Sequence, residues 1–157
     1  VLLARAEAFA LTGRYQDALN DLNIWTALRA DATEYVYGKH VLYKDLLLSH
    51  YSADLANEDH FINSRYNASK FTATGDELRF QKALILAILD ARKLEFLREG
   101  IRHFDILRWF IPVYHATADG QRSELTPEDD RRVIQLPQVV SLSGVEQNPW
   151  SNVGAWY

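Results

Sequence analysis

Residues 91–109, ARKLEFLREGIRHFDILRW, constrain this chain more than any other stretch. Apolar and charged residues recur there at helical spacing, and Gly100 interrupts them. The helix entering this stretch starts upstream. Thr74-Gly75-Asp76-Glu77 offers capping residues and early negative charge, which suit the free N–H groups of a helix start. Phe80, Leu84, Ala87, Ile88 and Ala91 then share one face of a run reaching Leu97. Ile85, Leu86 and Leu89 lie on other faces, so the upper half of the helix is expected to be covered on most sides. Gly100 can adopt the left-handed turn that ends a helix. Ile101, Phe104, Ile106, Leu107 and Trp109 are expected to drive a second, shorter helix back onto the core, with Pro112 limiting its length.

The charges here are spaced as partners. Glu95 lies three residues from Arg92 and Arg98, and Asp105 three from Arg102 and Arg108. Helical residues three apart can touch. An arginine-flanked carboxylate stays ionised and makes a poor general acid. The expectation is a partly buried ion network locking two helices together, rather than a catalytic or anion site.

The opening of the chain is a second helix pair. Leu2, Ala6, Phe9 and Ala10 share a face, Thr12-Gly13-Arg14 breaks the helix, and Tyr15, Ala18, Leu22 and Trp25 form the next face. Two helices joined by so tight a turn should pack antiparallel. The pattern A-x-A-x-x-G-R-Y-x-x-A-x-x-x-L resembles a tetratricopeptide repeat, with small residues at the crossing, glycine at the turn and tyrosine behind it.

Residues 31–74 form an insertion with broken periodicity. Short helices are expected around His40–His50, with Leu42 and Leu46 on one side, and near Leu55–Tyr66. Tyr35, Tyr37, Tyr43, Tyr51, Phe61, Tyr66 and Phe71 make the segment too aromatic for a flexible linker. A ring carrying a hydroxyl matches both the apolar face and the polar rim of a sugar. Tyr35, Tyr37, Tyr51 and Tyr66 are therefore the candidate ligand-binding residues, against the alternative that such rings only pin the loop. His40, His50 and His60 follow no ligand spacing, and neither these nor His103 is read as a metal ligand.

Beyond the signature stretch, Asp119-Gly120 is a turn signal that could close a small hairpin with Val113–His115. Glu124 to Arg132 is charged and expected to be solvated. Val133 to Tyr157 reads as an extended tail, with Pro137, Pro149 and Gly154 preventing regular helix and Leu136, Trp150 and Trp156 anchoring it.

Composition narrows function by exclusion. A net charge of −4 without a basic run argues against nucleic acid. No apolar run is long enough to span a bilayer. No nucleophile elbow or phosphate-binding glycine loop is present. The absence of cysteine removes disulfides and thiolate metal sites. The absence of methionine suggests a processed or truncated chain.

Two motifs point to a family. Arg92, Glu95, Phe96, Glu99, Gly100, Arg102, Phe104, Asp105, Arg108 and Trp109 resemble the signature of the SusD/RagB family of Bacteroidetes outer-membrane nutrient-binding lipoproteins. There, a helix rich in Arg and Glu ends in an E-G-x-R step before an aromatic–Asp helix closing on Arg-Trp. Ile134–Gln138 (IQLPQ) and Gln147–Trp150 (QNPW) resemble the closing elements of the same family. The resemblance implies a mainly α fold of tetratricopeptide-like helical pairs, long ordered loops and an extended C-terminal tail. Residues 1–157 would form a single C-terminal region: a repeat-like pair over 1–30, the aromatic insertion over 31–77, the signature pair over 78–110, and loop and tail over 111–157. It implies non-catalytic capture of glycans or other nutrients, no cofactor, a SusC-like TonB-dependent transporter as partner, and a lipid anchor on an upstream segment. Arg92, Glu95, Gly100, Arg102, Asp105, Arg108 and Trp109 would be its structural network. The alternative is a tetratricopeptide-like module that binds a protein partner.

Overall fold

The structure, a computed structural model, describes residues 1–29, 41–96, 99–116, 122–129 and 132. It is mainly helical. The chain divides into two compact units, Val1–Asp105 and Ile106–Tyr157.

The first unit is built on a helical hairpin and one long helix. Helix α1 (Leu2–Leu11) ends at Thr12, and Gly13 takes a φ of +80°. The Arg14 N–H reaches back to the Phe9 carbonyl at 2.9 Å, and helix α2 (Tyr15–Arg29) begins. A left-handed residue satisfies the last carbonyls of a helix and reverses the chain within three residues. Ala6, Ala10 and Ala18 are fully buried, so small side chains let α1 and α2 approach closely. The Arg5 guanidinium fastens the pair by donating from Nε and Nη2 to the buried Asp21 carboxylate, both at 2.8 Å.

Between the hairpin and the long helix lie short pieces: α3 (Lys44–His50), α4 (Ser52–Ala56), a 3-10 turn (Phe61–Asn63) and α5 (Arg65–Ala68). The single helix expected near Leu55–Tyr66 is thus three fragments. Side-chain amides competing for backbone groups explain the breaks. Asn63 donates to the carbonyls of Asp54, Leu55 and Asn57, and buried Asn67 donates to the Phe61 carbonyl at 2.8 Å.

Helix α6 (Gly75–Glu95) is the axis of the unit. Helices α1, α2, α3 and α4 all pack on it. Ala83, Leu84, Ile85, Leu86, Ala87, Ile88 and Leu89 are buried in succession, so this middle stretch of the helix is apolar and covered on all sides. Gln81 is also fully buried. Its amide donates to the Ala10 carbonyl at 2.9 Å and reaches that of Leu11 at 3.5 Å, capping the carbonyl end of α1 from another helix. Tyr15 meets Phe80 edge-on, ring centroids 5.6 Å apart.

Helix α6 stops at Glu95, Gly100 takes a φ of +72°, and α7 (Arg102–Arg108) follows. Phe104 corrects the sequence reading, for it is 60% exposed while the neighbouring Asp105 is fully buried. Adjacent residues on a helix point about 100° apart, so burying Asp105 turns Phe104 outward.

In the second unit, Phe110 takes a left-handed φ of 51°. The Ile111 N–H bonds the Ile106 carbonyl at 3.1 Å, and the Phe110 N–H bonds Leu107 at 3.3 Å. This pair of bonds is a Schellman closure, followed by Pro112. Strands β1 (Val113–Ala116) and β2 (Arg122–Leu125) pair antiparallel, with Val113 opposite Leu125. Asp119 and Gly120 lie outside the described residues. Arg132 is buried rather than solvated. Its guanidinium donates to the carbonyls of Ile106, Ile111, Leu125 and Thr126, so one side chain ties the helix end to the hairpin. The tail from 133 onward, including Leu136, Trp150 and Trp156, lies outside the described residues.

Candidate functional site

The first unit contains a groove of about 280 Å³ bounded by α2, residue 42, α3 and α6. Its walls are mostly apolar. Leu22 and Trp25 come from α2, Leu42, Leu46 and Leu47 from the segment entering and forming α3, and Ala87, Ala91 and Leu94 from α6. The two alanines matter because any larger side chain on that face of α6 would fill the space. Leu42 is held in place by Asn23, whose amide donates to the Leu42 carbonyl at 3.0 Å and accepts from the Leu42 N–H at 2.7 Å.

Polar groups sit at the margins. Tyr51 is buried, and its hydroxyl donates to Asp90 Oδ2 at 2.8 Å. Burial first, and then the adjacent Asp90 carboxylate, push the Tyr51 phenol well above its usual range, so it stays neutral. His50 stacks edge-on against Tyr51 at 4.6 Å. Thr26 donates back to the Leu22 carbonyl at 2.9 Å. Outside the groove lining, His60 stands 3.6 Å from Asp54, and burial lowers its pKa against the pull of Asp54 and Asp90.

At one end of the groove Glu95 gathers α2. The Trp25 indole N–H donates to Glu95 Oε2 at 3.0 Å, the Arg29 Nε donates to the same oxygen at 2.7 Å, and Arg29 Nη2 donates to Oε1. The hydrogen bond from Arg29, followed by that from Trp25, depresses the Glu95 carboxyl to about 2. A second hollow, about 460 Å³, adjoins across Trp25 and Leu94 and is edged by Arg29, Glu95 and Glu99.

Of the residues singled out by sequence, Arg92 and Asp105 meet directly. Arg92 Nε lies 3.1 and 3.0 Å from the two Asp105 oxygens across the Gly100 elbow. Arg102 donates to the Leu89 carbonyl at 3.3 Å. Glu95 takes its partners from α2 rather than from its own helix, and Arg98 lies outside the described residues. Arg108 is exposed and Trp109 is buried, both in the second unit.

Among the candidate tyrosines, Tyr51 lines the groove and Tyr66 does not. The Tyr66 ring lies under the Arg65 guanidinium, whose Nη2 donates to its hydroxyl at 2.8 Å. Tyr35 and Tyr37 lie outside the described residues. Sequence reading placed Trp25 only on a helix face and did not single out Leu94 or Asp90. Leu94 follows Ala87 and Ala91 along the same side of α6, yet it is 69% exposed. Among the described residues, no three His, Asp or Glu side chains converge to hold a metal ion, and no helix is long and apolar enough to cross a membrane.

A model of the SusD family matches residues 1–138. No curated protein and no solved structure gives a match.

Proposed function

The chain belongs to the SusD family, and from that membership we propose that it captures glycans or other nutrients at the outer membrane for delivery to a TonB-dependent transporter. The single observation carrying this reading is the family match, whose span of residues 1–138 takes in the helical hairpin, the insertion, α6 and the signature elbow. The residues present here would form the C-terminal region of such a protein, with a lipid anchor on a segment upstream. Binding is non-covalent, through ring faces and polar rims, with no cofactor.

The groove beside Tyr51 supports the reading by giving the described part of the chain a concave, ring-edged surface. Tyr51 contributes a ring edge, since its hydroxyl proton is committed to Asp90. Tyr35, Tyr37 and Tyr66 remain candidate contacts on the insertion.

A glycan array probed with the complete protein tests this. Retention of at least one oligo- or polysaccharide is expected, together with co-purification of a SusC-like transporter. Failure on every glycan combined with tight binding of a peptide would favour a tetratricopeptide-like adaptor, the reading that the α1–α2 hairpin itself suggests.

A further inference from the structure

We propose that the groove between α2, α3 and α6 accepts a small primary amine with a compact apolar body, its ammonium held by Asp90. The inference deepens the nutrient-capture reading by naming a class of cargo, and it rests on that reading only for what the binding is for.

Size and lining set the body of the ligand. A volume near 280 Å³ is at the small end for a ligand pocket, and Leu22, Leu47, Ala87 and Leu94 present hydrocarbon to it. Such walls favour burying a ring or branched chain, in proportion to the apolar area removed from water.

The hydrogen-bond inventory sets the head group. Most donors in the walls are already spent inside the protein. The Trp25 N–H goes to Glu95, the Tyr51 O–H to Asp90 and the Thr26 O–H to the Leu22 carbonyl. His50 is the lining side chain whose ring N–H enters none of these bonds. Apart from that one N–H, what the walls still offer is acceptors: Asp90 Oδ1 and the lone pairs of Tyr51 and Thr26. A ligand docking there gains most by bringing donors of its own. An ammonium brings three, with a charge opposite to that of Asp90. A carboxylate would bring none and would meet Asp90 as a like charge.

The nearby cations do not reverse this. Arg29 is forked onto Glu95 and lines the adjoining hollow rather than the groove. Arg102 is close enough to feel the Asp90 charge, but it donates to the Leu89 carbonyl and does not line the groove.

Three probes of one skeleton isolate the head group: cyclohexylmethylamine, cyclohexylmethanol and cyclohexanecarboxylate. Each is titrated into the full chain while the Trp25 indole N–H resonance is followed. The amine is expected to move that resonance and to bind at least about tenfold tighter than the alcohol, with the acid weakest. Asp90→Asn can still accept from Tyr51 but carries no charge, and should abolish the preference for the amine over the alcohol. Equal binding of amine and acid, a preference that survives Asp90→Asn, or no binding of the amine would overturn the inference. The glycan array separates the two readings. Glycan retention without amine binding sinks the groove inference alone, and amine binding without glycan retention sinks the glycan reading alone.

Discussion

The Asn23 side chain grips Leu42 by both of its backbone polar groups, donating to the carbonyl at 3.0 Å and accepting from the N–H at 2.7 Å. The amide thereby imitates a strand partner and fastens the segment before α3 to the flank of α2. Leu42 and Leu46 reach the groove because of that fastening. Asn23→Ala leaves both Leu42 groups without this partner, at about 1–2 kcal/mol. The expected outcome is faster amide exchange over residues 42–47 with the hairpin amides of α1 unchanged. Uniform acceleration throughout the first unit would show that the clamp is not local.

Asp105 and Arg92 offer a sharper energetic test. Asp105 is fully buried and the Arg92 side chain nearly so, so removing the carboxylate strands a cation in a poor dielectric. Asp105→Ala should destabilise by about 3 kcal/mol, read as a shift of the urea midpoint. Replacing both partners by apolar residues, as in Arg92→Met with Asp105→Leu, should recover much of that loss, because desolvating the pair is itself costly. A change below about 0.5 kcal/mol for Asp105→Ala would mark the pair as dispensable.

Glu95 predicts the acid limb of stability. Its folded pKa is depressed from 4.5 to about 2, mainly by the hydrogen bond from Arg29. A depressed carboxyl binds fewer protons in the folded state than in the unfolded one. Its stabilisation is therefore complete above pH 4.5 and is lost as pH falls towards 2. Denaturant midpoints measured over that window should decline less steeply in Glu95→Gln than in the parent. The partial exposure of Glu95 and Arg29 keeps the effect modest and salt-sensitive. Parallel declines would remove Glu95 from the acid response.

Two left-handed residues make opposite predictions. Gly13 has a φ of +80° and open space where a Cβ would stand, so Gly13→Ala should cost about 1 kcal/mol through backbone strain alone. Phe110 bears that strain already, at a φ of 51°. Phe110→Gly should consequently be more stable than Phe110→Ala by about 1 kcal/mol, although it removes more side chain. Thermal melts of the three variants suffice, and an alanine more stable than glycine at 110 would refute the assignment.

The helices and their breaks were legible in the chain because both are local properties. Apolar residues at Phe80, Leu84, Ile88 and Ala91 declare a helical face within a dozen positions, and Gly13 and Gly100 declare where the backbone must turn left-handed. The family signature was legible for a related reason, since its residues lie on consecutive turns around one elbow. Polar partnerships were not. Glu95 has arginine three residues before it, yet its carboxylate is met from α2, 66 and 70 residues earlier. Gln81 drew no notice in the sequence, and it caps α1. Arg132 read as a solvated charge, and it closes four carbonyls. Phe104 read as core, and Asp105 took that place. A side chain's own sequence neighbourhood sets which way it points from its helix. Which donor or acceptor it meets depends on backbone brought near by packing, and that information is carried by no single segment. The groove belongs to this second class, being the space left where α2, α3 and α6 meet over two alanines.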